Sequence, residues 1–368
     1  MCKLGIFSFF SGAGFLDLGF EDADFNILFA NEISTEFSYV YQYARTKLKK
    51  EKMKYGLHIN SIDDYLENKS DKEYLIDCYN AAKNDFEYIG FIGGPPCPDF
   101  SVAGKNKGAT GVHGRLSLSY VNLICQIKPD FFVFENVKGL WRTSRHRQFY
   151  NALVEQLKAA GYSTTERLIN ALEYGAAQDR ERIILIGIRS DILKNTHKEI
   201  KDFPWNKYIK YNLKDVKNKN WPVTSDFKEN SKLKCPQNII PELTVDYWFK
   251  KNNVEKHANA NDFFVPRAGL QKMQTYAEGD VSKKCYKRLH RYRYSPTAAY
   301  GNNEVHLHPF LARRLSVAET LAIQSLPKEF ELPMDLSLSA KFKTIGNGVP
   351  YLAAKGVAMT LKSFLEDK

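Results

Sequence analysis

The chain has 368 residues, six of them cysteines, and a formal net charge of +11. Cys2, Cys78, Cys97, Cys125, Cys235 and Cys285 form no C-x-x-C pair, which argues against a disulfide framework and a structural zinc site. No apolar run approaches the ~20 residues of a membrane span, and no signal peptide precedes the cysteines. The expectation is therefore a soluble cytoplasmic protein without a metal, built as two domains or as one domain with a large insertion.

The first predicted strand, "KLGIFSFF", runs into "FSFFSGAGFLDLGF" (residues 7 to 20), a strand, a Gly-Ala-Gly turn and a helix start. Glycines there let a backbone approach a nucleotide-like ligand, and a helix start offers free N–H donors. A merely tight turn has the same signature, and the spacing is not G-x-G-x-x-G. The second strand ends in "FANEI" (29 to 33). Glu32 at that edge suits either the two hydroxyls of a ribose or a helix cap.

"FEYIGFIGG" (86 to 94) reads as a buried strand ended by glycine. The loop that follows, "IGGPPCPDF" (92 to 100), sets Cys97 behind Pro95 and Pro96 at the strand's carboxyl end, where open α/β sheets bind ligands. The prolines stiffen the approach to the thiol, and an amide-rich loop raises the thiolate fraction a nucleophile needs. "FFVFENVKGL" (131 to 140) brings Glu135 to the same edge, where burial would raise its pKa and suit it to donate a proton. "QFYNALVEQLKAAGY" has helical spacing closed by Gly161, and "AAQDRERIILIGI" (176 to 188) puts Arg180 and Arg182 before another strand. Both can face one side, as site residues or as a surface salt-bridge ladder. This alternation predicts an α/β domain over 1–192, a mostly parallel sheet with helices on both faces.

The texture then changes. Residues 201 to 300 hold 20 Lys or Arg against 10 Asp or Glu, the footprint of a polyanion-binding surface or of a solvated lysine-rich face. A second, smaller basic domain is expected over 193–310, where the charge meets Trp205, Trp221, Trp248 and "KKCYKRLHRYRY" (283 to 294). In the last segment, 311–368, a helical "RRLSVAETLAIQSL" (313 to 326) precedes "KTIGNGVPYLAAKGVAMTLKSFL", a glycine loop and an apolar helix expected to rejoin the first domain.

Taken in order, P-P-C, E-N-V, Q-x-R-x-R and G-N-G-V-P resemble the cytosine carbon-5 DNA methyltransferase family over residues 4 to 192 and about 288 to 361. "RLSL" (115 to 118) and "SPTAAY…HP…RRLSVAETLAIQSLP" are similar to two further family segments. The resemblance implies an S-adenosylmethionine-dependent methyltransferase of Rossmann-like fold with a target-recognition domain. Its substrate would be double-stranded DNA, in a bacterial cytoplasm and with or without a restriction endonuclease acting on the same site. S-adenosylhomocysteine would be the by-product.

On this resemblance Cys97 is the nucleophile that adds to carbon-6 of a flipped-out cytosine. Glu135 binds the exocyclic amine and protonates ring nitrogen 3, Arg180 holds the ring carbonyl oxygen, Asn136 shapes the pocket, and Arg182 supports it structurally. Phe10, Ser11, Gly12, Ala13 and Gly14 resemble the loop around the methionine end of the cofactor. Glu32 resembles the ribose ligand and Ile33 the adenine contact, with Ser61, Ile62, Pro96, Leu118, Asn347 and Val349 as further cofactor positions. Ser101, Lys283, Lys284, Arg288, Arg291 and Arg293 are the DNA-binding candidates, the lysines expected on phosphates and a few Arg, Asn or Gln side chains of the segment on base edges. The chain departs from the family at Pro98 and Asp99 after the cysteine and at Phe15 in the glycine turn. Ser8 and Ser61 stand where the family has acidic residues; at the latter, adenine binding is expected either to be weaker or to use Asp63. A related tRNA methyltransferase shares the catalytic motifs, and a non-catalytic nucleic-acid-binding relic is the alternative from another class.

Overall fold

A computed structural model describes residues 3–96, 112–283, 285–297, 300 and 305–367. Cys97, Pro98, Asp99, Ser101 and Lys284 lie outside the described residues. The chain begins β1 (Leu4–Phe9), α1 (Phe15–Glu21), β2 (Phe25–Asn31), α2 (Thr35–Lys47), β3 (Gly56–His58), α3 (Asp64–Glu67), α4 (Lys69–Ala82) and β4 (Tyr88–Gly93). It continues α5 (Val112–Ile127), β5 (Phe131–Val137), α6 (Lys138–Arg142), α7 (Ser144–Ala159), β6 (Tyr162–Asn170), β7 (Gln178–Asp179), β8 (Glu181–Arg189) and α8 (Ser190–Asn195). The remainder is α9 (Leu213–Asn218), α10 (Val245–Lys251), α11 (Leu270–Met273), β9 (Lys287–Arg288), β10 (Ser295–Pro296), β11 (His306–Leu307), α12 (Val317–Ile323), α13 (Leu338–Asn347) and α14 (Tyr351–Glu366).

Seven strands form one sheet in the order β3-β2-β1-β4-β5-β8-β6. β1 to β5 pair in parallel, and β8 enters antiparallel between β5 and β6. This is the expected mostly parallel α/β sheet. Its inner strands β1, β2, β4, β5 and β8 are largely apolar because both faces are covered. Phe7, Phe91, Phe132 and Phe134 pack on one face with Leu75 of α4, Ile124 of α5 and Leu157 of α7. Ile6, Ile92, Val133 and Ile184 pack on the other with Phe20 of α1 and Val357 and Leu361 of α14. Each fully buried side chain of this kind stabilises the fold by about 1.5–3 kcal/mol. The final helix thus rejoins the sheet, as its apolar pattern predicts.

Strand order reverses between β1 and β4, with β2 beyond β1 on one side and β5 beyond β4 on the other. Crevices at the carboxyl ends of strands flanking such a reversal are where open sheets take ligands. Phe9 is opposite Gly93 in the register, so the glycine turn after β1 and the proline segment after β4 leave the sheet side by side.

One strand is new and two expectations are revised. β6, with the sequence YSTTERLIN, is a strand that no apolar run announces, because at the sheet edge most of its residues are only half-buried. Gly346 and Asn347 close α13 rather than forming a loop. The tryptophans of the basic segment do not interleave with its charges on the surface. Trp221 and Trp248 are buried, and Trp205 packs on the sheet's second core while its indole N–H donates to Thr165.

Candidate active site

The turn after β1 is built by backbone geometry. Phe10 (φ 53°), Gly12 (φ 55°) and Gly14 (φ 81°) all adopt left-handed conformations, and Gly14 could carry no side chain in any case, because a Cβ there would stand 2.7 Å from the Tyr41 ring. Ser11 anchors the turn to β2, its N–H 3.1 Å and its hydroxyl 3.3 Å from the Asn31 carbonyl. Ala13 is buried and Phe10 packs edge-on against Tyr120.

Glu32 sits against this turn. One carboxylate oxygen accepts from the Gly12 N–H at 2.9 Å and the other from the Ser34 N–H at 2.9 Å. Burial raises its pKa, while those N–H groups and the Lys343 ammonium pull it back. Each oxygen retains a lone pair, so the paired hydroxyls of a ribose fit this carboxylate. Ile33 is 66% and Leu118 38% exposed, unusual for apolar side chains beside a buried turn, and they offer faces for a flat heterocycle. Asn347 and Pro96 are exposed, whereas Val349 and Ile62 are buried. Ile62 belongs to the core under the site, so it supports the pocket wall from behind.

Asp63, a candidate to replace the missing acidic residue at Ser61, is engaged elsewhere. Its carboxylate accepts from Arg115 Nη2 and Ser119 Oγ, both at 2.5 Å, fastening α5 to the loop after β3. The Ser61 hydroxyl accepts from the Asp63 N–H at 3.2 Å, and the Ser61 N–H donates to Asp64 at 2.9 Å. The acidic residues here hold the loop rather than facing a ligand. The other substituted position, Ser8, donates to buried Asp17 at 2.7 Å, and Tyr41 donates to the second Asp17 oxygen at 2.7 Å. Burial pushes Asp17 up to about 6.

The second half of the site is carried by β5. The β4–β5 register pairs Gly93 with Phe134, which sets Gly94 beside Glu135. A Cβ on Gly94 would come within 2.6 Å of Glu135 Oε2, so the glycine makes room for the carboxylate. The Asn136 side-chain N–H donates to the Pro95 carbonyl at 3.3 Å, and its oxygen accepts from the Val137 N–H at 2.8 Å. Pro95 is thereby tied to β5 two residues before Cys97.

Glu135 is buried, and Arg182 Nε holds its Oε1 at 2.8 Å. Burial raises the Glu135 pKa; Arg182 and then Arg180 pull it down. The two arginines differ in their contacts. Arg182 is the one in contact with Glu135, while Arg180, 2% exposed, donates from Nη2 to the Gly346 carbonyl at 2.8 Å and so joins the β8 approach to α13.

The DNA-binding candidates divide as well. Arg288 is fully buried, donating to the carbonyls of Tyr276 (2.9 Å), Leu311 (2.9 Å), His308 and Met273. Arg291 is 5% exposed and paired with Glu278 at 2.7 Å. Both are interior braces, corrected from the expectation that they reach DNA. Lys283 is exposed, its ammonium 5.1 Å from the Tyr276 ring centre, and Arg293 is half-buried beside Tyr294. Among the described residues no cluster of three or more His, Cys, Asp or Glu is arranged to hold a metal, and no helix is long and apolar enough to cross a membrane.

The profile of the C-5 cytosine-specific DNA methylase family matches residues 4–363. The chain is 58% identical over 365 residues to the type II methyltransferase M.NmeDI of Neisseria meningitidis serogroup C, covering 99% of this chain and 85% of that one. It is 32% identical over 371 residues to the type II methyltransferase M.FnuDI of Fusobacterium nucleatum, covering 99% and 95%. Among solved structures, the S. pombe Dnmt2 methyltransferase has the same fold, with a TM-score of 0.58 at 13% identity over 99% of this chain and 98% of that one.

Proposed function

Since the chain belongs to the C-5 cytosine-specific DNA methylase family and is a cytosine carbon-5 DNA methyltransferase of the type II kind, we propose that it methylates a flipped-out cytosine within a specific double-stranded DNA sequence. S-adenosylmethionine is the proposed donor, and a covalent Cys97 adduct the proposed intermediate. The observation that carries this reading is the carboxyl of Glu135, buried, raised in pKa and steered by Arg182, beside a Pro95 that Asn136 anchors just ahead of Cys97.

The chemistry follows from the weak nucleophilicity of a pyrimidine carbon. Cys97 as thiolate adds to ring carbon-6 while Glu135 delivers a proton to nitrogen 3, which leaves an enamine with electron density at carbon-5. The cofactor, when bound, supplies an electrophilic methyl to that carbon. Loss of the carbon-5 proton to a solvent base then expels the thiolate, and nitrogen 3 returns its proton to the Glu135 carboxylate, which restores aromaticity. Glu32 would hold the ribose, Ile33 and Leu118 the adenine, and the Phe10–Gly14 turn with Asn347 the methionine end. Arg182, with its guanidinium already at Glu135, is the better placed of the two arginines to meet the pyrimidine carbonyl.

Transfer of labelled methyl from S-adenosylmethionine to purified DNA and to tRNA tests the substrate, with DNA expected as the acceptor. Glu135→Gln should slow single-turnover methyl transfer ~100-fold or more with S-adenosylhomocysteine binding intact. Cys97→Ala should abolish transfer and trapping on 5-fluorocytosine DNA. Methylation of tRNA alone, or turnover by Cys97→Ala above a tenth of wild type, refutes the reading.

A further inference from the structure

We propose that Lys343 is a positioning residue of the cofactor site, holding Glu32 ionised so that both carboxylate oxygens accept from the ribose. This rests on the cofactor reading above. Lys343 is exposed on α13, one helical turn before the exposed Asn347, so the two share a face. Its ammonium reaches across to α2 and lies 5.5 Å from the centre of the Phe37 ring. Phe37 occupies the first turn of that helix, where its N–H donates to the Ser34 hydroxyl at 3.3 Å while the Ser34 N–H holds Glu32. The lysine thus spans from the closing motif of the chain to the helix start against which the ribose carboxylate rests.

Such a partner acts on Glu32 in the useful direction. It is 7% exposed, and burial favours its protonated form. The groups that oppose this are the N–H donors of Ser34, Gly12 and Ile33 and the charge of Lys343; the positive end of the 13-residue helix α2 acts in the same sense. A protonated carboxyl would lose one acceptor site and turn one oxygen into a donor, matching a vicinal diol poorly. A cation held nearby on a flexible stem keeps the acceptor form without occupying either oxygen.

The test is S-adenosylhomocysteine affinity by calorimetry on the full-length protein from pH 5 to 8. Glu32 must be ionised to bind, so affinity falls as pH drops through its pKa. Lys343→Gln removes a charge that lowers that pKa, so the acid limb moves to higher pH, and binding is weaker along that limb with a smaller difference at pH 8. Lys343→Arg retains the wild-type profile. In a Glu32→Gln background, Lys343→Gln changes nothing further. A Lys343→Gln profile parallel to wild type, whether weakened at all pH values or not at all, overturns the proposal, as does an effect that persists without Glu32. Failure of the cofactor reading itself looks different: wild type would not bind S-adenosylhomocysteine, or Glu32→Gln would bind it as tightly.

Discussion

Removing the cation at Glu135 gives a perturbation whose size is bounded by the structure. Arg182→Met keeps most of the aliphatic stem and deletes the guanidinium that holds Glu135 Oε1 at 2.8 Å. Breaking a buried pair by removing one partner usually destabilises by about 3–5 kcal/mol, because the other charge is left uncompensated. Glu135 has an escape, since it can take up a proton. Keeping a carboxyl of ordinary pKa 4.5 protonated at pH 7 costs about 3.4 kcal/mol, at roughly 1.4 kcal/mol per pH unit. The loss is therefore capped near that figure, and the remaining charge of Arg180 brings the expectation to about 2–3 kcal/mol at pH 7. A folded pKa raised above the unfolded one leaves stability intact below pH 4.5 and erodes it as pH rises. The ceiling on the difference between variant and wild type should thus shrink to about 1.4 kcal/mol at pH 5.5. Pulse proteolysis in urea at pH 5.5, 7 and 8 measures this. A difference that is equal at the three pH values would show that Arg182 stabilises through packing rather than through Glu135.

Three further outcomes follow from the geometry. Gly94→Ala places a methyl 2.6 Å from Glu135 Oε2, so methyl transfer should fall at least ~10-fold with S-adenosylhomocysteine affinity unchanged; wild-type turnover would show that the carboxylate does not work from its observed position. Asp17→Asn removes a carboxyl pushed up to about 6 from 3.8, a group that weakens the fold as pH climbs between those values. The variant should gain on wild type over that window and hold the gain above it, and a thermal-shift difference flat from pH 4 to 7 would contradict this. Lys283→Gln should weaken binding to all DNA alike and flatten the salt dependence by roughly one unit of slope; a sequence-selective loss in filter binding would make Lys283 a base-reading residue.

The catalytic scaffold was legible because its signals are local. Five apolar runs marked β1, β2, β4, β5 and β8, and in a sheet covered on both faces an unbroken apolar run is what a central strand must be. The Gly-Ala-Gly turn, Glu32 and Glu135 followed from standing at the ends of those runs. β6 was illegible for the same reason, since an edge strand half in solvent has no apolar run to show. What could not be read was direction and partnership. Asp63 and Asp17 stand at positions where an acidic residue beside a ligand loop invites a ligand role, yet each closes an internal network that only tertiary contacts define. Arg180 and Arg182 were indistinguishable by spacing, and the break between β7 and β8 separates them, sending one to Gly346 and the other to Glu135.

Charge counting failed in the same way in the basic segment. An arginine count of surface potential assumes that guanidiniums are solvated, but Arg288 and Arg291 are among the buried polar residues, braced by backbone carbonyls and by Glu278. That region has little regular structure to bury its own backbone, being built from helices of four to seven residues and two-residue strands. The five donors of a guanidinium can satisfy several unpaired carbonyls at once, as Arg288 does for Tyr276, Leu311, His308 and Met273. Arg288 and Arg291 are drawn inward by such groups, whereas most of the segment's lysines, which gain less from burial because their single ammonium is strongly hydrated, stay exposed. The exposed lysines rather than the arginine total are then the residues to expect along a phosphate backbone, among them Lys283, which stands beside an aromatic ring as Lys210, Lys217, Lys251 and Lys272 also do.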